Sequence, residues 1–144
     1  MLCNALGMNT VLFDGPPVYS DVTYDKWYYS AVTAARRLGL LNGIIFDNMF
    51  KPNDPITRLE AADVLSKLAV SRRITPINNF RASYFSDFDE IYPSSMRAVE
   101  LAVNAGFLNE NGMGNGKFEP FGFITRAQVA TIQITTVQVL RRFY

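Results

Sequence analysis

The chain has 144 residues, a formal net charge of +1, 49% apolar residues and 19% charged residues, the make-up of one globular domain or two small repeats rather than a disordered segment. The near-neutral balance argues against a general nucleic-acid binder, which carries a basic excess, and no apolar run approaches the roughly 18 residues of a membrane span. With no His in the sequence, Ser-His-Asp and Cys-His catalysis and Cys/His zinc sites are excluded, and a single Cys, Cys3, excludes an intrachain disulfide.

Met1–Gly7 lacks a basic leader and does not read as a signal peptide. It reads as the last two turns of a helix stopped by Gly7. Gly15-Pro16-Pro17 is connector chemistry. A first helix follows, with Asp25 as its expected cap, Trp27, Ala31, Ala34 and Leu38 at helical spacing, and Gly39 as its stop. The Asn-, Gly- and Pro-rich loop 42–55 leads to Thr57-x-x-Glu60, a capping box that opens a helix over 57–70 with Leu59, Ala62, Leu65 and Leu68 or Ala69 inward. Pro76-Ile77-Asn78-Asn79 marks a linker over 71–84. Pro93 suits the first turn of a third helix with Met96, Val99 and Val103 as its stripe, stopped by Gly106. A second loop, 109–123, has the turn residues of a calcium loop but too few carboxylates for one, so it reads as turns. Thr125-x-x-Gln128 opens a last helix over 125–142, although its β-branched run favours strand by propensity.

The helical reading of that last segment rests on an internal repeat. Tyr19-Ser20-Asp21 matches Phe85-Ser86-Asp87, and Gly39-Leu40-Leu41-Asn42 matches Gly106-Phe107-Leu108-Asn109. Phe50-Lys51-Pro52 matches Phe118-Glu119-Pro120, and Ile56-Thr57-Arg58-Leu59-Glu60 matches Ile124-Thr125-Arg126-Ala127-Gln128. Each unit reads as helix, loop, helix, with short extended pieces around Phe50 and Phe118. Met1–Leu6 aligns with Val64–Ala69, so the chain reads as a C-terminal helix remnant and linker (1–18), a whole unit (19–70), a linker (71–84) and a second unit with an extended last helix (85–144).

Units 19–70 and 85–140 resemble S-layer homology repeats, through the Ser-Asp, Gly-Leu-Leu-Asn-Gly, Phe-x-Pro and Ile-Thr-Arg motifs quoted above and Trp27-Tyr28. The resemblance implies an all-α fold of helix-loop-helix repeats packed as a pseudo-threefold bundle. It also implies a non-covalent anchor to the bacterial cell wall, located outside the cell in the wall or S-layer. Inter-repeat grooves would bind a secondary cell-wall polysaccharide or another wall glycan, typically bearing a pyruvate ketal, with the Arg of each Ile-Thr-Arg motif meeting the negative charge. No cofactor or metal is implied. The second unit departs from the pattern with Pro93 in place of Trp27, Gln128 in place of Glu60 and Glu110 in place of Gly43.

The motif positions nominate Arg58 and Arg126 for the ligand, with Trp27, Thr57, Thr125, Glu60 and Gln128 around them. A cation is disfavoured in the first turn of a helix, where the dipole is already positive. One account makes each Arg a solvated side chain near Glu60 or Asp54. The other makes it part of an anion site in which guanidinium, free amides and dipole converge on one carboxylate. Thr57, Thr125, Glu60 and Gln128 read first as caps, Trp27 on a helix stripe is more usually core than sugar platform, and Arg72-Arg73 and Arg141-Arg142 read as helix-end cations. Two other functions stay open: a degenerate repeat pair serving self-association, and, weakest, a glycosidase using Asp21, Asp25, Asp87 or Asp89.

Overall fold

In the computed structural model we describe residues 16–45 and 47–143, with side chains through Arg142. The helix remnant expected over Met1–Gly7 lies outside the described residues. Those described form four helices, α1 (Tyr29–Arg37), α2 (Arg58–Ser71), α3 (Pro93–Asn104) and α4 (Arg126–Phe143), with short 3-10 turns at Ala82–Tyr84 and Phe88–Glu90. No strand occurs among them. The loop segments around Phe50 and Phe118 join no strand ladder, and the one bridge among the described residues joins Thr57 to Phe123. The fold is all-α, and α4 is helical despite its β-branched run, Thr131 and Thr135 hydroxyls donating back to the carbonyls of Ala127 and Thr131.

The chain divides into two compact units, Met1–Asp54 and Pro55–Tyr144. In the first, Tyr19, Val22, Tyr29 and Val32 form a buried cluster with Phe50 and Leu41 against it. The expected stripe of α1 is displaced. Tyr29, Val32, Thr33 and Ala34 face inward, while Trp27 is 85% exposed and Leu38 is also exposed. Asp25 does not cap this helix. Turns at Thr23–Lys26 and Lys26–Tyr29 occupy the preceding residues, α1 starts only at Tyr29, and the Asp25 carboxylate instead accepts from Thr23 and Lys26.

In the second unit α2 packs against α3. Ala62, Leu65, Leu68 and Ala69 meet a core that includes Val99, Ala102 and Val103, extended by Phe80, Phe85 and Phe118. Ring centroids lie 4.8 Å apart for Phe80–Phe85 and 5.3 Å for Phe85–Phe118. Residues 71–84 are strapped along α3. The Asn104 carbonyl takes the Ile77 N–H at 2.7 Å, its side chain exchanges two bonds with Phe80, and Glu100 accepts from the Ala82 N–H at 3.0 Å. Gly106 ends α3 with φ +80°, and a Cβ there would sit 2.8 Å from Ile77 Cδ1 and 3.3 Å from Val139 Cγ2. Its lack of a side chain therefore serves both the left-handed turn and the seating of α4.

One device recurs in both units. Asp21 accepts the consecutive N–H groups of Phe50 and Lys51 at 2.8 and 2.7 Å. Asp87 accepts those of Phe118 and Glu119 at the same two distances. Lys51 and Glu119 both have left-handed φ, +54° and +55°, which turns successive N–H groups toward one anion. Beside each clamp the Ser20 or Ser86 N–H donates to the carbonyl of Asn48 or Gly116.

The Asp87 carboxylate is buried whereas Asp21 is partly exposed. Asp87→Ala orphans two N–H groups, of which Phe118's lies in the core, and is expected to cost about 3 kcal/mol, with Asp21→Ala nearer about 1.5 kcal/mol because water replaces part of the loss. Urea denaturation, with amide exchange followed separately in the two units, measures both.

Candidate functional site

The first turn of α2 is built by its own cap and by the second loop. The Thr57 hydroxyl accepts the Glu60 N–H at 3.2 Å, and the Glu60 carboxylate accepts the Thr57 N–H at 2.8 Å, completing the capping box. The next two N–H groups, of Arg58 and Leu59, donate to the carbonyls of Gly122 and Pro120 at 2.9 and 3.0 Å. All the early donors of this helix are thereby satisfied within the second unit.

Arg58 is not the solvated side chain that one account expected. It is 7% exposed, and its Nη1 donates to the carbonyls of Phe118 and Glu119 at 3.0 Å each, with the Glu119 carboxylate at 3.5 Å. The carbonyls and carboxylate offset both the desolvation of the cation and the unfavourable helix dipole. Arg126 takes the matching place at the start of α4 but is exposed, with no ion-pair partner among the described residues. The Thr125–Gln128 box is made: the Gln128 N–H donates to the Thr125 hydroxyl at 3.3 Å, and the Thr125 N–H donates to Gln128 Oε1 at 2.9 Å.

A cleft of about 610 Å³ opens in this unit, within the range of about 300–1,000 Å³ typical of small-ligand pockets. Arg58, Asn109 and Gln128 provide polar walls, and Phe107, Met113 and Ile132 provide apolar ones. Gln128 Nε2 donates to Met113 Sδ at 3.3 Å. Of the residues nominated from the sequence, the cleft brings together Arg58 and Gln128. Thr57, Glu60 and Thr125 act as caps beside it, and Arg126 does not line it. Trp27 lies in the first unit, its ring 5.5 Å from Tyr28 in an edge-to-face pair.

Three of the four carboxylates weighed for catalysis are engaged elsewhere, and the fourth, Asp89, is exposed. Asp21 and Asp87 hold backbone N–H groups. Asp25 is pulled down to about 2, first by Lys26 and then by the Thr23 hydroxyl, the opposite of what a general acid needs. No group of three or more Cys, Asp and Glu that could hold a metal occurs among the described residues, and in the 109–117 loop the Asn109 and Asn115 side-chain oxygens accept the N–H groups of Asn111 and Lys117 in Asx-type turns. No helix among them is long and apolar enough to cross a membrane.

Sequence reasoning missed the Asp clamps as loop anchors and the role of Glu100 and Asn104. The signal for the clamps was present, since Ser-Asp recurs about thirty residues before Phe-x-Pro in both units.

The S-layer homology domain model matches residues 18–62 and 84–130. Over 132 residues the chain is 29% identical to an exoglucanase, XynX, of Acetivibrio thermocellus, and 30% identical to an amylopullulanase of Thermoanaerobacterium thermosulfurigenes. Each alignment covers 92% of this chain, but only 12% and 7% of those proteins. It is 29% identical over 127 residues to the surface-layer 125 kDa protein of Lysinibacillus sphaericus, covering 87% of this chain and 10% of that one. The chain thus spans about a tenth of the length of these relatives. No solved structure matches it significantly.

Arg58→Met is expected to lower stability by about 2–3 kcal/mol through orphaned carbonyls, and Arg126→Ala by no more than about 0.5 kcal/mol, both read by urea denaturation. Asp25 is expected to titrate near pH 2 rather than about 3.9 in a carboxyl-detected NMR titration. Because its folded pKa is depressed, its small contribution is present at neutral pH and fades as pH falls through that midpoint.

Proposed function

Because the chain belongs to the S-layer homology domain family, a family of cell-wall anchoring modules, we propose that it serves as a non-catalytic wall anchor that holds an anionic wall polysaccharide, a pyruvylated secondary polymer in the first instance, and that it acts outside the cell. The carrying observation is the convergence of Arg58 and Gln128 on one cleft with apolar walls. The guanidinium faces a ketal carboxylate, Asn109 and Gln128 meet sugar hydroxyls, and Phe107 and Ile132 take the apolar face of a ring. Arg126, exposed on the first turn of the helix that supplies Gln128, adds a second positive charge for the polymer. Exposed Trp27 offers a stacking surface in the first unit. The absence of catalysis is supported by the relatives: two glycan-degrading enzymes and a surface-layer protein share this segment, and it forms about a tenth of each. What such different proteins have in common is better read as attachment than as a reaction.

Calorimetric titration with purified wall polysaccharide, with and without its pyruvate, tests this. Binding is expected only to the pyruvylated polymer, with Arg126→Ala and Gln128→Ala each weakening it about tenfold, which corresponds to about 1.4 kcal/mol. Unaltered binding after pyruvate removal would overturn the anionic assignment. A second reading, self-association without glycan binding, is favoured by an exposed aromatic group, Tyr92 and Phe121 with ring centroids 5.3 Å apart and Phe123 60% exposed. A concentration-dependent dimer in sedimentation, with no polymer binding, would select it.

A further inference from the structure

The first unit contains a polar cleft of about 400 Å³ that the anchor reading does not use, with polar lining from Tyr19, Arg36, Asn42 and Asn48. No carboxylate lines it among the described residues. Tyr19 is one of its lining residues. The ring is 4% exposed and packs with Val22, Tyr29 and Val32, its centroid 5.9 Å from that of Phe50. The hydroxyl oxygen is buried and has no hydrogen-bond partner, an arrangement that costs roughly 1–3 kcal/mol if nothing fills it. Burial raises the Tyr19 pKa and nearby Arg36 opposes the rise, so the hydroxyl is a protonated donor within electrostatic reach of that guanidinium. Arg36 stands at the rim, its Nη1 donating to Asn42 Oδ1 at 2.5 Å, and no ion pair to an acid is made by it among the described residues.

The repeat fold does not require these groups. At the positions equivalent to Tyr19 and Arg36 the second repeat has Phe85 and Val103, both buried and apolar on the same scaffold. A hydroxyl and a guanidinium placed together only in the first unit, with no acid beside them among the described residues, point to an external acceptor. We propose that this cleft is an anion site for one carboxylate on a sugar-sized ligand, bound by the Arg36 guanidinium and by a hydrogen bond from the Tyr19 hydroxyl. One guanidinium balances one carboxylate and leaves a phosphate dianion half compensated. The volume falls at the lower end of the range for small-ligand pockets, about 300–1,000 Å³. This site lies wholly within the first unit and stands or falls apart from the cleft of the second.

The test is an NMR titration of the full chain, following backbone amides, with sodium glucuronate, glucose and sodium phosphate as probes at matched ionic strength. Glucuronate is expected to give saturable shifts at Tyr19, Arg36 and residues 41–45, with glucose giving none and phosphate weaker shifts. Tyr19→Phe keeps the ring and removes only the hydroxyl, and is expected to weaken glucuronate binding about fivefold. Arg36→Gln, at an exposed position that spares the core, is expected to abolish saturation. Full affinity in Tyr19→Phe, equal response to glucose, or no response to glucuronate beyond that to sodium chloride would overturn the proposal. Stronger binding of phosphate would overturn the carboxylate assignment.

Discussion

Two consecutive backbone N–H groups held by one carboxylate form the joint on which the second unit depends. Asp87 fixes Phe118 and Glu119 in a turn that their own backbone would not favour, since Glu119 sits at φ +55°. That turn presents the carbonyls of Phe118 and Glu119 side by side, and Arg58 bonds both. The carbonyls of Pro120 and Gly122 follow and take the first free N–H groups of α2. A loop of the second repeat thus completes the N-terminus of a helix from the first. The wall of the cleft is an outcome of the same chain of bonds, because Arg58 and Phe118 belong to both.

The price of placing a cation at a helix N-terminus is met locally. The dipole and the loss of water both disfavour Arg58 there, and three acceptors surround its Nη1 in return. The guanidinium is consequently held in one orientation by the loop of the second repeat. Arg126 has the same motif position without the surrounding loop, and stays in solvent. Equivalent residues of a duplicated motif have therefore become different things, one a buried joint at a cleft wall and the other a free surface charge.

The two units share a scaffold and differ in what they line it with. The Asp clamp, the Ser contact beside it and the glycine after the first helix recur with closely matching geometry. Between them, Tyr19 and Arg36 stand in the first unit where Phe85 and Val103 stand in the second, and Trp27 stands where Pro93 does. The constant parts are backbone-directed bonds that any such repeat needs. The variable parts are side chains: Arg36 and Trp27 are exposed in the first unit, whereas Phe85 and Val103 are buried apolar groups in the second.

The helices, the capping boxes at Thr57 and Thr125, the glycine stops and the family were legible in the sequence, because they rest on local bonds and on spacing that repeats. The helical state of 126–143 was legible only through the repeat, since its β-branched residues favour strand by themselves. Other features were decided by distant contacts. Asp25 failed as a cap because turns before Tyr29 delayed the helix, and Trp27 was turned to solvent by the same delay. Asp21 and Asp87 looked like turn residues until the loop some thirty residues away came back to them. The burial of Arg58 and the exposure of Arg126 could not be told apart from two identical motifs. Only packing against Phe118 and Glu119, brought there by a carboxylate in the next repeat, separated them. Local hydrogen bonding is written residue by residue in the sequence, whereas the environment of a side chain is set by whichever segment the tertiary structure places beside it.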